Sequence, residues 1–460
     1  MKKIVSLSVA AAVMATLSAC NSSSDPVVVP PPPPPPPPPV VVDATLRVIH
    51  ASSDAPNVNV LVGGEPVIEN LAFGQSSENF DLAPATYNVA VEALLPGDAT
   101  ATVIGPVDLA LAEATNYKVF AVGSVAQDTL EPLVVTSDVA DLAAGNIRLQ
   151  VVHAASAAPA VDIHVTAPDA ALGAPLDTLD FKEFTGAIDV AAGNYRVRIT
   201  LPGQDMVVFD SGPLELAAGT DLVVAAINNR FSGDSPVSLL AVTPTGESLD
   251  ILDANTTASV RVVHNVSDAP AVDVIANDAI KLVEALSFPD FTGYLGVAPD
   301  TYNVKVAANA NNDVVVIDAD LPLEAGAFYS VLAVGSLTEN TIEPLVLADM
   351  PRRIATEAQV RIVHGSTLAG PVDIYVTATN DISTATPAFA AVPFKADTGY
   401  VSLAAGDYVV TVTPAGSKTA AIGPVALSLE ANKIYTAIAR DGEGLTADVG
   451  LILMDDFVQE

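Results

Sequence analysis

The chain has 460 residues, 50% of them hydrophobic, and a formal net charge of −35 from 54 Asp and Glu against 19 Lys and Arg. A chain this acidic repels polyanions, which excludes DNA and RNA as partners. Tryptophan is missing and aromatic residues make up 5% of the chain, which argues against a carbohydrate platform built from stacked rings.

The first twenty residues have the layout of a secretory signal peptide, with a basic start, a short apolar segment and the sequence LSAC, which ends at Cys20. LSAC resembles the lipobox of bacterial lipoproteins, whose cysteine is acylated after cleavage. The resemblance implies that residues 1–20 are a lipoprotein signal peptide and that Cys20 is the lipidation site. It also implies that Asn21 directs the protein to the outer membrane of a Gram-negative bacterium. Removal of Lys2 and Lys3 with the signal would take the net charge from −35 to −37.

Residues 21–44 are predicted to be a proline-rich linker. It contains ten consecutive prolines, Pro30 to Pro39. Such a run forms a polyproline II rod, here roughly 31 Å long at about 3.1 Å per residue. We interpret it as a spacer between the membrane and the rest of the chain, with a ligand for a proline-reading domain as the alternative.

The remainder of the chain repeats one phrase four times. The phrase reads RVIHASSDAPNVNV, QVVHAASAAPAVDI, RVVHNVSDAPAVDV and RIVHGSTLAGPVDI, and its histidines are His50, His153, His264 and His364. A turn leading to a tyrosine strand and a later Leu-rich segment recur in the same order in each unit. Units of roughly 100 residues have the size of single domains. We therefore predict four repeats, at residues 45–142, 146–250, 257–350 and 357–460.

Each unit is predicted to be built from short β-strands. In TYNVKV, Tyr302, Val304 and Val306 lie on one face and Asn303 and Lys305 on the other, which is the alternation of a half-buried strand. Turn sequences interrupt such runs every 8 to 12 residues or so. The fold class is thus all-β, with four tandem antiparallel, Ig-like β-sandwich domains. In the third unit the predicted strands are 258–264, 271–276, 280–287, 291–297, 301–307, 313–317, 327–334 and 343–348.

The phrase, the tyrosine strand and the closing AVGS and EPLV segments together resemble DUF4397, a domain of unknown function found in exported and surface-attached bacterial proteins. The resemblance covers residues 46 to 455 or so and implies four tandem copies in a lipoprotein. It implies fold and location only, because the family carries no established catalytic residue or ligand. The second unit departs from the pattern, with Gln150 in place of the arginine and no aspartate in the SDAP segment.

The phrase places candidate functional residues at fixed spacing. An acid or amide follows each histidine by nine positions, and a serine follows it closely, which raises the alternative of a hydrolase. No sequence typical of a nucleophile elbow is present, and single histidines without cysteine partners are poor zinc sites. We therefore expect no catalytic residue, metal site or cofactor, and interpret each histidine as a neutral imidazole that hydrogen-bonds the SDAP loop. The acids and amide are Asn59, Asp162, Asp273 and Asp373, and the serines are Ser53, Ser156, Ser267 and Ser366.

Arginine also recurs, three residues before the histidine, as Arg47, Arg261 and Arg361. Its recurrence in a chain poor in cations indicates a fixed ion pair, for which we expect a carboxylate of the same domain, Asp54 or Asp268. A ligand-binding arginine is the alternative. Calcium at acidic clusters such as residues 314–324 is a further alternative to a solvated acidic face, although no loop has EF-hand spacing.

These features favour a non-enzymatic, lipid-anchored cell-envelope protein whose four repeats bind an unidentified protein or polymer through several weak sites, where avidity raises affinity. A purely structural stalk or envelope spacer is the second reading, and an uncharacterised hydrolase is the third. The sequence does not decide whether the body faces the periplasm or the outside.

Overall fold

A computed structural model of the chain describes residues 42–456. The predicted signal peptide, Cys20 and nearly all of the predicted linker lie outside the described residues. Within them the regular secondary structure is entirely β-strand, so the all-β prediction is confirmed. None of the described residues belongs to a helix long and apolar enough to cross a bilayer.

The strands fall into four successive groups with similar order. Repeat 1 contains β1 (Ala44–His50), β2 (Val58–Val62), β3 (Glu65–Leu71), β4 (Phe80–Leu82), β5 (Thr86–Leu95), β6 (Ala99–Ala110), β7 (Thr115–Val122) and β8 (Glu131–Asp138). Repeat 2 contains β9 (Asn146–His153), β10 (Val161–Thr166), β11 (Asp177–Leu179), β12 (Ile188–Ala191), β13 (Gly193–Thr200), β14 (Val207–Leu216), β15 (Asp221–Asn228), β16 (Val237–Val242) and β17 (Ser248–Ile251).

The second half of the chain repeats this arrangement. Repeat 3 contains β18 (Ala258–His264), β19 (Val272–Ala276), β20 (Ile280–Leu286), β21 (Leu295–Val297), β22 (Asp300–Ala308), β23 (Asn311–Leu323), β24 (Phe328–Val334) and β25 (Glu343–Asp349). Repeat 4 contains β26 (Ala358–His364), β27 (Val372–Thr377), β28 (Phe389–Val392), β29 (Val401–Leu403), β30 (Gly406–Pro414), β31 (Ile422–Leu429), β32 (Lys433–Gly442) and β33 (Thr446–Asp455).

Every repeat is a sandwich of two sheets, which we call the first-strand sheet and the second sheet. In repeat 3 the first-strand sheet has the order β21-β18-β24-β25 and the second sheet has the order β20-β19-β22-β23. Repeats 1 and 4 have the same two orders, and repeat 2 adds β17 at the edge of its first-strand sheet. Pairing is antiparallel except that the first strand of each repeat runs parallel to the strand that pairs with it in the centre of its sheet.

The eight strands predicted for the third unit correspond to β18–β25. The prediction was too short for β23, which spans Asn311–Leu323 and pairs along β22, and too long for β21, which spans only Leu295–Val297. The Leu-rich runs that have helix propensity are strands or turns, because cross-strand pairing and burial override propensity in short segments.

Two kinds of apolar core hold the chain together. The first lies between the two sheets of one repeat, as with Val262, Val274, Val306 and Ile317 in repeat 3. The second lies between repeats, because the first-strand sheet is buried on both faces. Burial of one aliphatic side chain stabilises the fold by about 1.5–3 kcal/mol, so both cores contribute substantially.

The cores between repeats join repeat 1 to repeat 2 and repeat 3 to repeat 4. Ile49 and Phe120 of repeat 1 belong to one cluster with Val152 and Leu240 of repeat 2. The matching cluster of the second half is formed by residues from β18, β24, β25, β26, β32 and β33: Val263, Leu332, Val334, Leu347, Val363, Ile438, Ile452 and Met454. The described body therefore consists of two pairs of repeats, each packed through its first-strand sheets.

The two members of a pair differ in the connection that follows the second strand. In repeats 1 and 3 it is a tight hairpin, whereas repeats 2 and 4 carry inserts between β10 and β11 and between β27 and β28. The insert of repeat 2 covers the outer face of its second sheet, where Arg198 donates to the carbonyl oxygens of Ala170 (2.9 Å) and Ala171 (3.1 Å). In repeat 4, Tyr375 is buried on the equivalent face. The unit of repetition is thus a pair made of one open and one covered repeat.

Candidate functional site

The recurring phrase lies on the first strand of each repeat, and alternate residues point to different neighbours. In β18, Val262 belongs to the core of its own sandwich, whereas Val263 belongs to the core shared with repeat 4. Arg261 shares the face of Val263, because side chains two apart along a strand lie on the same side. The arginine of the phrase therefore faces the neighbouring repeat.

Each of the four histidines hydrogen-bonds the loop that follows the first strand of its repeat. Each ring Nε2 lies 2.9–3.0 Å from the carbonyl oxygen six residues later, in the loop that follows the first strand. A carbonyl only accepts, so Nε2 carries the proton and donates it. All four rings are buried. The accepting residues are Pro56, Pro159, Pro270 and Gly370.

Burial disfavours the protonated form of two of these imidazoles, His50 and His264. Each ring packs edge-on against a phenylalanine, with centroids 6.1–6.3 Å apart, on Phe73, Phe181, Phe288 and Phe394. Burial lowers the pKa of His50 to about 4, although the hydrogen bond to Pro56 opposes the shift. Burial also lowers the pKa of His264. A protonated ring would thus be costly at His50 and His264.

The acids that follow the histidines by nine positions anchor backbone. Asp273 is fully buried and accepts from Lys281 Nζ (2.7 Å), the Ala285 amide (2.9 Å), Asn309 Nδ2 (2.8 Å) and Asn312 Nδ2 (2.9 Å). These bonds, led by the one from Lys281, hold the pKa of Asp273 far below its usual range. Ala285 has a φ of 54°, so the carboxylate fixes a residue in the left-handed region.

The other three repeats use this position in the same way. Asp373 accepts from the amides of Ala391 and Gly416, both at 2.8 Å. Asp162 accepts from the Thr178 hydroxyl and from the Gly203 amide at 2.9 Å. In repeat 1 the amide oxygen of Asn59 accepts from the Asn70 amide at 2.9 Å, which explains why asparagine suffices there. The position is a structural acceptor in all four repeats.

The histidines, serines and acids of the phrase do not assemble into a catalytic triad among residues 42–456. The histidine Nε2 bonds a carbonyl, and the acid nine residues later bonds other groups. Ser53 Oγ accepts from Asn228 Nδ2 (3.1 Å) of repeat 2. The described residues also contain no group of three or more His, Cys, Asp or Glu side chains placed to hold a metal ion. Calcium at residues 314–324 stays a prediction.

The predicted arginine partners were wrong. Asp54 instead accepts from the Ser124 hydroxyl (2.6 Å) and the amides of Val125 and Ala126 (both 3.0 Å), and Asp268 holds the equivalent loop of repeat 3. These bonds satisfy the aspartates inside their own domain, which leaves the arginines free to reach elsewhere. The physical reason is orientation, since the arginine points to the other side of the sheet.

The arginines of the second pair meet on one buried carboxylate. Asp349, in the last strand of repeat 3, lies 2.6 Å from Arg361 Nη2 of repeat 4 and 3.4 Å from Arg261 Nη2. It also accepts from the hydroxyls of Tyr294 and Ser330, both at 2.6 Å. Arg261 forms a second ion pair, with Asp455 of repeat 4. Burial lowers the pKa of Arg261, but Asp455 and Asp349 outweigh burial and raise it.

The first pair uses the same geometry without that carboxylate. Arg47 donates to the carbonyl oxygen of Thr243 in repeat 2, and Gln150 of repeat 2 donates in return to the carbonyl oxygen of Thr136 in repeat 1 (3.1 Å). Lys118 Nζ bonds Gln150 Oε1 (2.8 Å) across the same interface. Burial, followed by the charge of Arg47, lowers the pKa of Lys118 to about 8. Gln150 is therefore a functional substitute for the arginine in this packing role.

Sequence reasoning missed Asp349 and Asp455 because Asp349 lies across a repeat boundary from Arg361 and Asp455 lies 194 residues from Arg261. A signal was present, however. Arg261 lies on the same face as the apolar Val263, and the other face of this strand is also apolar. A buried face that includes an arginine indicates an interface rather than a closed core.

Together, the fold and these residues define a protein built from tandem β-sandwich repeats whose shared motif organises packing within and between repeats. A family model described as "Domain of unknown function (DUF4397)" matches residues 44–164, 258–375 and 376–460. The chain belongs to the DUF4397 family. The matched segments leave most of repeat 2 unmatched, although its strand order follows that of the other three.

Comparison with individual proteins gives no information beyond the family assignment. A search of curated proteins finds no match to this chain. Among solved structures, the chain is similar to one titled "The Bacillus anthracis TIE protein", with 11% identity over 87% of this chain and 68% of that chain. The TM-score is 0.14, so this likeness supports no argument about fold or function.

Proposed function

We propose that the protein is a non-enzymatic, lipid-anchored cell-envelope protein that binds a protein or polymer partner through the outer faces of repeats 1 and 3. One observation carries the binding proposal. These two repeats present the same uncovered sheet surface, whereas inserts cover the corresponding surface of repeats 2 and 4. Two like faces on one chain support bivalent binding, in which the second contact gains from effective concentration.

The two open faces share an Asn–Asp pair, whereas repeats 2 and 4 have Arg196 and Val409 at the position of the asparagine. In repeat 1, Asn88 Nδ2 donates to Asp108 (3.0 Å), and in repeat 3 the equivalent Asn303 Nδ2 donates to Asp318 (2.9 Å) and Asp320 (3.3 Å). The side chains lie on exposed strands, so each face offers carboxylate and carboxamide groups to solvent. Such a surface suits a cationic or hydroxyl-rich partner and disfavours an anionic one.

The recurring phrase does not supply the binding surface in this proposal. Its histidines, arginines and acids are buried and hydrogen-bonded in the sandwich or in the interface between repeats. A partner could not reach them without opening the fold. Binding is therefore assigned to the two exposed sheet faces and not to the recurring phrase.

The envelope location rests on sequence features outside the described residues. The lipobox-like LSAC at Cys20 supports acylation, and several acyl chains together anchor a protein stably where one is marginal. The ten prolines that follow would hold the body away from the membrane. A proposal of the outer membrane of a Gram-negative bacterium follows from Asn21.

The proposal is tested first by location and then by the faces. Protease digestion of intact cells that express the protein with a C-terminal tag, with a periplasmic protein as lysis control, reports whether the body is outside. Binding of the purified full chain to isolated envelopes is then compared with a variant carrying N88A, D108A, N303A and D320A. The control carries N194A and E215A, which remove an exposed cross-strand polar pair from the corresponding two strands of repeat 2. Loss of binding in the first variant alone supports the proposal, and equal binding by both contradicts it.

A structural envelope spacer is the second candidate, and a specific observation favours it. The motif residues that define the repeats serve packing, and large apolar cores join the repeats in pairs, which suits a rigid spacer. Unchanged envelope binding in the face variant, together with altered envelope spacing on deletion of the repeats, would support this reading.

A further inference from the structure

The interior of repeat 3 contains an apolar cavity of about 80 Å³ between its two sheets. Its walls are aliphatic side chains from both sheets, including Val262, Val274, Leu286, Val306 and Ile317. Apolar cavities about twice this size hold benzene or xenon rather than water. The space therefore matches a small apolar occupant.

The polar groups that border the cavity are already used. His264 Nε2 donates to the Pro270 carbonyl oxygen at 3.0 Å, and the Tyr302 hydroxyl donates to the Ala298 carbonyl oxygen at 2.9 Å. A bound water needs two to four polar partners or so, which these walls do not provide. A ligand here would gain from contact with methyl groups and not from hydrogen bonds.

The cavity reaches solvent along one edge of the sandwich. Val346, in the edge strand β25, lines the cavity and is nevertheless 42% exposed. The facing edge strand β23 contributes Ala319 and Leu321, and the exposed Asp320 stands beside them. The opening therefore runs between β23 and β25, with an acidic rim.

Three wall positions of the cavity carry smaller side chains in repeat 3 than in repeat 4. Strand register aligns Val262, Val274 and Ala319 with Ile362, Ile374 and Val425 of repeat 4, so each position has fewer methyl or methylene groups in repeat 3. Repeat 1 also has a valine, Val107, where repeat 3 has Ala319. Repeat 2 retains a cavity of only about 20 Å³ between its sheets.

We propose that repeat 3 binds the end of an unbranched alkyl chain in the cavity between its sheets, entered between β23 and β25. The volume of about 80 Å³ admits only the end of one chain, and the rest of the ligand would extend past the acidic rim into solvent. The carboxylate of Asp320 disfavours an anionic head group, so the ligand class is an alkyl chain with a neutral or cationic head. This inference shares Asp320 with the proposed binding face of repeat 3 but rests on the cavity between the sheets, not on that face.

The test is a titration of the full chain, labelled with ¹³C at Val, Leu and Ile methyl groups, with 1-octanol. We expect saturable shift changes at Val262, Val306 and Ile317 and none at their counterparts in repeat 4. Octanoate should bind at least threefold more weakly. Absence of saturable changes, or changes spread over all repeats, would overturn the proposal.

Matched variants distinguish octanol binding in the cavity from nonspecific octanol binding. V262I/V274I/A319V installs the residues of repeat 4 and should weaken octanol binding at least tenfold. The reverse change, I362V/I374V/V425A, should create a second set of saturable shifts in repeat 4. If the triple filling variant does not fold, A319V alone decides, since repeats 1 and 4 both have valine there, and it should weaken binding at least threefold. Unchanged affinity in a folded filling variant contradicts the proposal.

Discussion

Arg361 and Asp349 belong to different repeats, yet Arg361 Nη2 and Asp349 Oδ1 are 2.6 Å apart in a buried interface. The same carboxylate lies 3.4 Å from Arg261 Nη2, so one aspartate serves the arginines of two repeated motifs. The motif arginine thus links neighbouring domains. This relationship explains why the arginine recurs in a chain that has few cations.

Removal of the shared carboxylate should destabilise the second pair strongly. Asp349→Ala leaves two buried guanidinium groups without their common partner, and breaking a buried pair from one side costs about 3–5 kcal/mol. The measurement is the free energy of unfolding in urea. The control is Glu131→Gln, which breaks the exposed 2.7 Å pair with Lys182 and should cost less than about 1 kcal/mol. Equal effects of the two substitutions would contradict the assigned roles.

Substitution by glutamine should cost less stability at Arg47 than at Arg361. Gln150 already makes the cross-interface bond to a carbonyl oxygen, so Arg47→Gln should change the stability by no more than about 1 kcal/mol. Arg361→Gln removes the charge that faces Asp349 and should cost about 3 kcal/mol or more. Urea unfolding of both variants checks the contrast. A loss for Arg47→Gln as large as that for Arg361→Gln would show that Arg47 does more than bond a carbonyl oxygen.

His50 should make the protein sensitive to mild acid. Its pKa is about 4 in the fold against 6.5 for the free side chain, so between these values the unfolded chain binds more protons than the folded chain. Stability therefore falls as the pH falls through this window, by about 2 kcal/mol between pH 7 and pH 5 from this residue. Unfolding at both pH values, compared with His50→Gln, measures the contribution. The variant should show a smaller drop; an identical drop would exclude His50 as the cause.

At the acceptor position nine residues after the histidine, substitution by asparagine should destabilise the protein less than substitution by alanine. Asp273→Asn keeps one oxygen to accept from the Ala285 amide, as Asn59 does for Asn70 in repeat 1. Asp273→Ala leaves that amide, Asn309 and Asn312 without the buried acceptor they share, and a hydrogen bond to a charged group contributes about 1.5–3 kcal/mol. We expect the alanine variant to be less stable than the asparagine variant by at least about 2 kcal/mol in thermal or urea unfolding. Equal stability would mean that the acceptor is dispensable.

The strands of each repeat were largely predictable, but the packing of repeats was not. Alternation in TYNVKV and the regular turns located all eight strands of repeat 3, because one face of its second sheet meets solvent. The first strand shows no alternation of apolar and polar residues. Its apolar run, with Val262 and Val263 adjacent, shows that both faces are buried without showing what covers them.

The candidate site was predictable only where the interaction is local. The bond from each histidine spans six residues, so the phrase itself contained both partners. Arg361 and Asp349 stand on either side of a repeat boundary, and Arg261 is separated from Asp455 by most of two repeats, so spacing gave no sign of either pair. The alternation of open and covered repeats was readable in principle, because the inserts lengthen the phrase-to-strand distance in repeats 2 and 4.

The pairing of repeats through their first-strand sheets is tested most directly by methyl–methyl NOEs in the full chain. In the second pair, Val263 and Leu332 of repeat 3 and Val363 and Ile438 of repeat 4 belong to one buried cluster. The structure predicts NOEs between methyl groups of the two repeats and protection of these methyls from a soluble paramagnetic agent. Methyls that relax strongly with the agent and show NOEs only within their own repeat would contradict the paired architecture.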